Sequence, residues 1–224
     1  MADRVSAVAQ IATAKRHRRV LLSGRQYTHA SRSGVVPCFG RRRQSNLEGF
    51  LFPATYDFLT RTPSRRLVAA QLQAFCENWG TVDLSYARSK NLTPYDVLKI
   101  ASMVEKEAVA PSERPLVAAV IYNRLHARMP LGIDATLRYG LHIAPTQSIL
   151  ESQLQSDNPY NTRKLPGLPP TPIANPGLPS IRAAAHPAKV NYLYFVRKPD
   201  RIHHFFTASD QAFAQYECAH GYGC

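Results

Sequence analysis

The hydrophobic pattern of the chain changes character at about residue 46. Residues 1–45 hold no sustained helical or strand period, whereas LEGFLFPATYDF (47–58) alternates apolar and small residues around Pro53 and reads as an extended segment packed on a core. Between Arg66 and Trp79, Leu67, Ala70, Leu72, Ala74 and Phe75 predict an amphipathic helix that ends at Gly80. Thr93-Pro94-Tyr95-Asp96 is a strong helix start, with Thr as cap, Pro in the first turn and an acid three residues after the cap. Val97, Ile100, Ala101, Val104 and Ala108 follow as one apolar stripe. Pro111 stops that helix, and Ser112-Glu113 opens a second one with Leu116, Val117, Val120, Ile121 and Leu125 on its inner face, so the two should pack as a hairpin.

From Met129 to Pro179 the chain is rich in Gly, Pro, Asn and Thr, and the pattern supports only a short helix near Thr146–Leu154. Within it, LPGLPPTPIANPGLPS (165–180) is stiffened by prolines, while Ile173 and Leu178 mark it as a packed loop rather than a linker. A helix over Ser180–Ala185 comes next, and NYLYFVRK (191–198) and IHHFFTAS (202–209) alternate as two strands joined at Pro199-Asp200. The expected class is α+β: a mainly helical core, a long Pro/Gly-rich loop region and a C-terminal β-hairpin. The expected division is a basic, disordered arm over 1–46, possibly foreign to the rest, a catalytic domain over 47–210 and a tail over 211–224.

A formal charge of +13 on 224 residues suggests nucleic acid until it is located. Residues 1–47 carry a net +9 and the remaining 177 residues only +4, so the charge belongs to the arm and the body lacks a basic stripe interleaved with aromatics. No stretch approaches the ~20 apolar residues of a membrane span, and the apolar run at Val5–Ile11 has its basic residues after it, unlike a signal peptide. Cys38, Cys76, Cys218 and Cys224 show no C-x-x-C spacing, which argues against zinc. Cys218 and Cys224 are placed to close a small disulfide loop or to remain as free thiols.

The candidate chemistry lies in ASMVEKEA (101–108). At about 100° per residue Lys106 falls opposite the apolar stripe, while Glu105 and Glu107 lie on its two shoulders, each roughly 80° from Val97 on opposite sides. Periodicity does not choose between them. Shoulder glutamates commonly pair with Arg or Lys; a functional one gains from partial burial, which raises its pKa and keeps it protonated as a general acid. A glycosidase normally adds a second carboxylate, and Asp134 is the obvious candidate. Adjacent His203 and His204 point to opposite faces of a strand, which disfavours a metal site, and no cofactor is implied.

Several stretches, in order, resemble the YceG-like (MltG) endolytic murein transglycosylases: LEGFLFPATYDF, ASMVEKEA, ERPLVAAVIYNRL (113–125), MPLGIDATLRYG (129–140), NPYNTR (158–163), GLPPTPIANPG (167–177), SIRAAAHPAK (180–189) and NYLYFV (191–196). The resemblance implies a bacterial lyase of the cell wall. It would cut the β-1,4 bond between N-acetylmuramic acid and N-acetylglucosamine in nascent peptidoglycan glycan strands, leave 1,6-anhydro ends, and work at the extracytoplasmic face of the membrane beside cell-wall synthesis enzymes. It assigns the general acid, then base, to the first glutamate of the V-E-K-E motif, Glu105, with Glu107 in support. It places Asn123, Asp134, Thr136, Tyr160, Asn161, Thr162 and Asn175 in the cleft, and gives His186 a structural role before the strands. Members of the family usually carry a cytoplasmic tail, a membrane-spanning helix and a LysM-like domain ahead of the LEG motif; here the basic arm stands there. An inactive glycan-binding remnant is therefore the alternative expectation, and a hydrolytic muramidase using Glu105 with Asp134 is the nearest enzymatic one. Asn158 stands where serine is expected in NPYNTR.

Overall fold

Residues 23–40, 42–57 and 62–222 are described by the computed structural model, and the chain divides into two units, residues 1–81 and 82–224. In the first unit, helix α1 (Gly24–Ala30) starts at Ser23, whose side chain accepts the Gln26 N–H. A two-residue ribbon pairs β1 (Gly34–Val35) with β2 (Arg43–Gln44), and helix α2 (Ser64–Trp79) follows. Along α2, Leu67, Gln71, Phe75 and Trp79 are buried at four-residue intervals, a single stripe that needs a cover. The preceding segment supplies one. The Tyr27 hydroxyl donates to Gln71 Oε1 at 2.8 Å, and Phe39 and Phe50 pack against Phe75 and Trp79 with ring centroids 5.0–5.8 Å apart. A disulfide joins Cys38 to Cys76 on α2.

These contacts correct the expected arm. Residues 1–22 lie outside the described residues, but from Ser23 onward the segment holds a helix, a ribbon and part of a core. Its contribution depends on single aromatic residues meeting α2, which leaves no period in the sequence. LEGFLFPATYDF, described as far as Asp57, forms no helix and buries Leu47, Phe50, Leu51 and Phe52.

In the second unit, a short helix α3 (Ser85–Ser89) precedes α4 (Pro94–Glu107). The capping box forms as expected: Asp96 N–H donates to Thr93 Oγ1, and Thr93 N–H donates to Asp96 Oδ2. Val97, Leu98, Ile100, Ala101, Met103 and Val104 are buried. A 3-10 turn at Pro111–Glu113 leads into α5 (Arg114–His126), which packs on α4 and buries an uninterrupted run from Val117 to Tyr122. The run is continuous because α8 (Leu178–Ala185) packs against both α4 and α5. The hairpin pairs β3 (Tyr194–Arg197) with β4 (His204–Thr207), Arg197 opposite His204.

Two elements between and after these were not expected. Helix α6 (Asp134–Gly140) interrupts the Gly/Pro-rich region, with Asp134 in its first turn where a negative charge suits the helix dipole. The short helix expected near Thr146–Leu154 is the single turn α7 (Glu151–Leu154). The expected tail begins as helix α9 (Asp210–Ala219), capped by Ser209 and stacked on β4 through Phe205 and Tyr216, centroids 4.3 Å apart. Cys224, and with it the Cys218–Cys224 pair, lies outside the described residues. No helix among the described residues is long and apolar enough to cross a membrane.

The disulfide closes a separation of 38 residues, and loop-closure entropy values such a link at about 2–4 kcal/mol. Replacing Cys38 by Ser should lower the stability of the first unit by about that amount. Comparing the denaturant midpoint of Cys38→Ser with that of the parent, both unreduced, checks this: the variant should unfold at lower denaturant.

Candidate active site

The C-terminal end of α5 organises the irregular chain around it. Arg124 Nη1 donates to the carbonyls of Pro130 and Leu131, and its Nε donates to Leu193 O. Asn123 Nδ2 donates to the carbonyls of Val190 and Tyr192. Close approach of Arg124 requires glycine at 132: φ is +64°, and a Cβ would stand 2.8 Å from Nη1. Two residues later α6 begins. Its start is fixed from below by Thr162, which accepts the Ile133 N–H, meets Thr136 Oγ1 at 2.8 Å and, through its carbonyl, accepts the Gly132 N–H. Asn161 donates to the carbonyls of Leu154 and Ser156. Asn158 donates to Gly140 O and accepts the Tyr160 N–H, so the residue found in place of the expected serine closes the far end of α6.

Between these segments lies a cleft of about 910 Å³. Glu107, Asp134, Arg163, Tyr139, Arg197 and His204 are among its lining residues. Glu107 is the last residue of α4, and its carboxyl is pushed up to about 7, first by burial and then by the negative charge of Asp134. Arg197, a hydrogen bond from the Ala135 N–H and Lys106 pull in the other direction without prevailing. Asp134 is held by Arg163, Nε to Oδ1 at 2.6 Å. The cleft thus offers a carboxyl that is half protonated near neutral pH beside a carboxylate kept in an ion pair, an arrangement suited to proton transfer on a polar substrate.

Glu105 is engaged elsewhere. Its Oε2 accepts the Ser180 hydroxyl at 2.6 Å and the Gly177 N–H at 3.2 Å, at the N-terminal end of α8. The Ser180 hydroxyl in turn accepts from Arg114 Nε. A carboxylate there satisfies otherwise unpaired N-terminal donors and sits at the favourable end of the helix dipole. Glu105 is not among the residues lining the cleft, and Lys106, expected in solvent, is exposed at the cleft edge.

Of the seven expected cleft residues, Asp134 alone lines the cavity. Thr136, Asn161 and Thr162 are buried beneath it as the network that aims Asp134. Asn123 holds the approach to β3 and faces a separate, shallower depression. Tyr160 bonds Thr171 Oγ1 at 2.8 Å and packs on Tyr139, and Asn175 is half-buried in the loop before α8. His186 ends α8, its N–H bonded to Arg182 O. Arg163 and Tyr139 were not singled out, although they stand inside NPYNTR and MPLGIDATLRYG. Among the described residues, no group of three or more His, Cys, Asp or Glu is placed to hold a metal ion.

A family model described as "YceG-like family" matches residues 1–217. The chain is 38% identical over 162 residues to the endolytic murein transglycosylase of Bacillus subtilis (strain 168), covering 71% of this chain and 44% of that protein. It is also 38% identical over 156 residues to the endolytic murein transglycosylase of Streptococcus pneumoniae (strain ATCC BAA-255 / R6), covering 67% of this chain and 28% of that one. The chain therefore spans less than half the length of either relative. In structure it is similar to a yceG-like protein of Listeria monocytogenes solved at 2.6 Å, with a TM-score of 0.72, 26% identity, and coverage of 95% of this chain and 72% of that one.

The raised pKa sets a sign for stability. Below 4.5, the ordinary value, Glu107 is neutral folded or unfolded and contributes nothing. Between 4.5 and about 7 the unfolded chain ionises first, so stability falls as pH rises, with the full penalty above 7. Glu107→Gln should therefore raise the melting temperature at pH 8 and leave it nearly unchanged at pH 4. Carbon-detected NMR of the Glu107 carboxyl should give a midpoint near 7 in the parent and a lower one in Asp134→Asn.

Proposed function

The chain belongs to the YceG-like family, and on that premise we propose that its second unit is the catalytic part of an endolytic peptidoglycan lytic transglycosylase, with Glu107 as the acid. The observation that carries this reading is the carboxyl of Glu107, half-buried in the cleft wall with Asp134 also lining the cleft, its pKa pushed up to about 7. Glu105 is the other candidate; its engagement with Gly177 and Ser180 favours a capping role.

In the proposed step, protonated Glu107 donates to the glycosidic oxygen between N-acetylmuramic acid and N-acetylglucosamine as the bond from that oxygen to C1 breaks. The C6 hydroxyl of the muramic residue attacks C1, and its proton passes to the Glu107 carboxylate. The product is a 1,6-anhydro end, no water is consumed, and the acid is regenerated. The nucleophile belongs to the substrate, so proximity supplies much of the rate. Asp134, held by Arg163, supplies negative charge beside the oxocarbenium-like state. The Cys38–Cys76 disulfide supports action outside the cytoplasm, since such bonds persist in oxidising compartments.

A second reading follows from having two carboxyl residues on one cleft: Asp134 activates water, and the products carry reducing ends. Product analysis on uncrosslinked glycan strands separates the two readings. Anhydro ends are expected, with Glu107→Gln slower by about 10²–10⁴-fold. Glu105→Gln should retain cleavage within about tenfold while melting earlier, because it disturbs a helix cap worth about 0.5–2 kcal/mol. Loss of activity in Glu105→Gln with Glu107→Gln active would return the acid role to Glu105; strand binding without cleavage by the parent would leave a glycan-binding remnant.

A further inference from the structure

The strand side of the cleft carries a group that this acid chemistry does not use. His204 opens β4, and Glu113, in the turn before α5, takes it by two atoms. The His204 N–H donates to Glu113 Oε1 at 2.9 Å, and ring Nδ1 lies 2.7 Å from Oε2. The side chains of His204 and Glu113 are only 2% and 9% exposed. Both contacts on the carboxylate are acceptor positions, so Nδ1 carries the proton, and in the neutral ring Nε2 is left as an acceptor. Phe195 and Phe206 flank the ring edge-on, with centroids 5.4 and 5.9 Å away, and fix its plane.

Among the described residues, Nε2 itself has no hydrogen-bond partner. It is not sealed in: among the described residues, the only fully buried side-chain nitrogen or oxygen left unpaired is Gln71 Nε2, in the first unit. His204 lines the cleft together with Phe195, its neighbour on the same face of the hairpin. A clamp between strand and helix needs one ring nitrogen; the second is held in a defined direction with an apolar surface beside it. A ligand matching this pair carries a neutral N–H donor next to a small apolar group. An acetamido substituent has both.

We propose that His204 Nε2 is a substrate contact that accepts the N–H of an N-acetyl group on the glycan, with Phe195, on the same face of the hairpin, supplying the surface for its methyl. The contact rests on the glycan reading above and extends it to the recognition of N-acetylated over de-N-acetylated strands. Glu113 acts through the histidine, as the positioning residue.

Binding is measured in the cleavage-silenced Glu107→Gln protein, using uncrosslinked glycan strands, native and chemically de-N-acetylated. His204→Asn is the informative variant, because its amide NH₂ replaces Nδ1–H against Glu113 while nothing replaces Nε2. It should melt within a few degrees of its parent and bind N-acetylated strands about fivefold to tenfold more weakly, the worth of one neutral hydrogen bond, with little change for de-N-acetylated strands. Independently of any fold defect in that variant, the ¹⁵N signal of His204 Nε2 in the Glu107→Gln protein should move on saturation with N-acetylated strands. Unchanged affinity in a folded His204→Asn, or a stationary Nε2 signal at saturation, overturns the contact while the glycan reading stands. A parent protein that neither binds nor cleaves strands overturns both.

Discussion

The cleft exists because one guanidinium and one amide, consecutive at the end of a helix, hold five backbone carbonyls from two irregular segments. Residues 129–133 and 190–193 have no ladder or helix of their own to pair these groups, and unpaired carbonyls in the interior are costly. Arg124 supplies a fixed fork for three of them and stacks over Tyr194 at 5.3 Å. Burial disfavours its charge, and hydrogen bonds to carbonyls together with the ring face offset that cost. Everything that gives the cleft its shape leaves from these anchors: the chain into Asp134 on one side, the hairpin with Arg197 and His204 on the other.

Glu105 and Glu107, two positions apart, meet different surroundings on the two shoulders of the same helix. On one side the start of α8 brings the Gly177 N–H and the Ser180 hydroxyl, both of which Glu105 accepts. On the other, α6 brings Asp134 and the cleft, and the charged form is opposed. The difference arises from the surroundings, since the two side chains are identical and both lie at the margin of the stripe.

The elements that were legible in the sequence are those whose cause is local. The capping box at Thr93 and Asp96, the stop at Pro111 and the alternation of the hairpin all act over a few residues, and the structure follows them. Helix α6 was illegible because its start is held by Thr162, far along the chain. The Cys38–Cys76 bridge was missed for a similar reason: it joins segments that share no pattern. The site shows the same limit. Motif membership marks Thr136, Asn161 and Thr162 as strongly as Asp134, because a network that aims a carboxylate is as exacting about residue type as the carboxylate itself. Telling support from contact took burial and direction, which the sequence does not carry.

Glu107 is also the point at which α4 stops. The unpaired carbonyls of a helix terminus give that end a partial negative charge, which opposes ionisation of a carboxyl placed there and decays within about one turn. Pro111 and the residues just before it set where the helix ends, and so where this carboxyl stands relative to that charge. Lengthening or fraying this helix by a residue would change the field at this one carboxyl and leave the other groups of the cleft as they are.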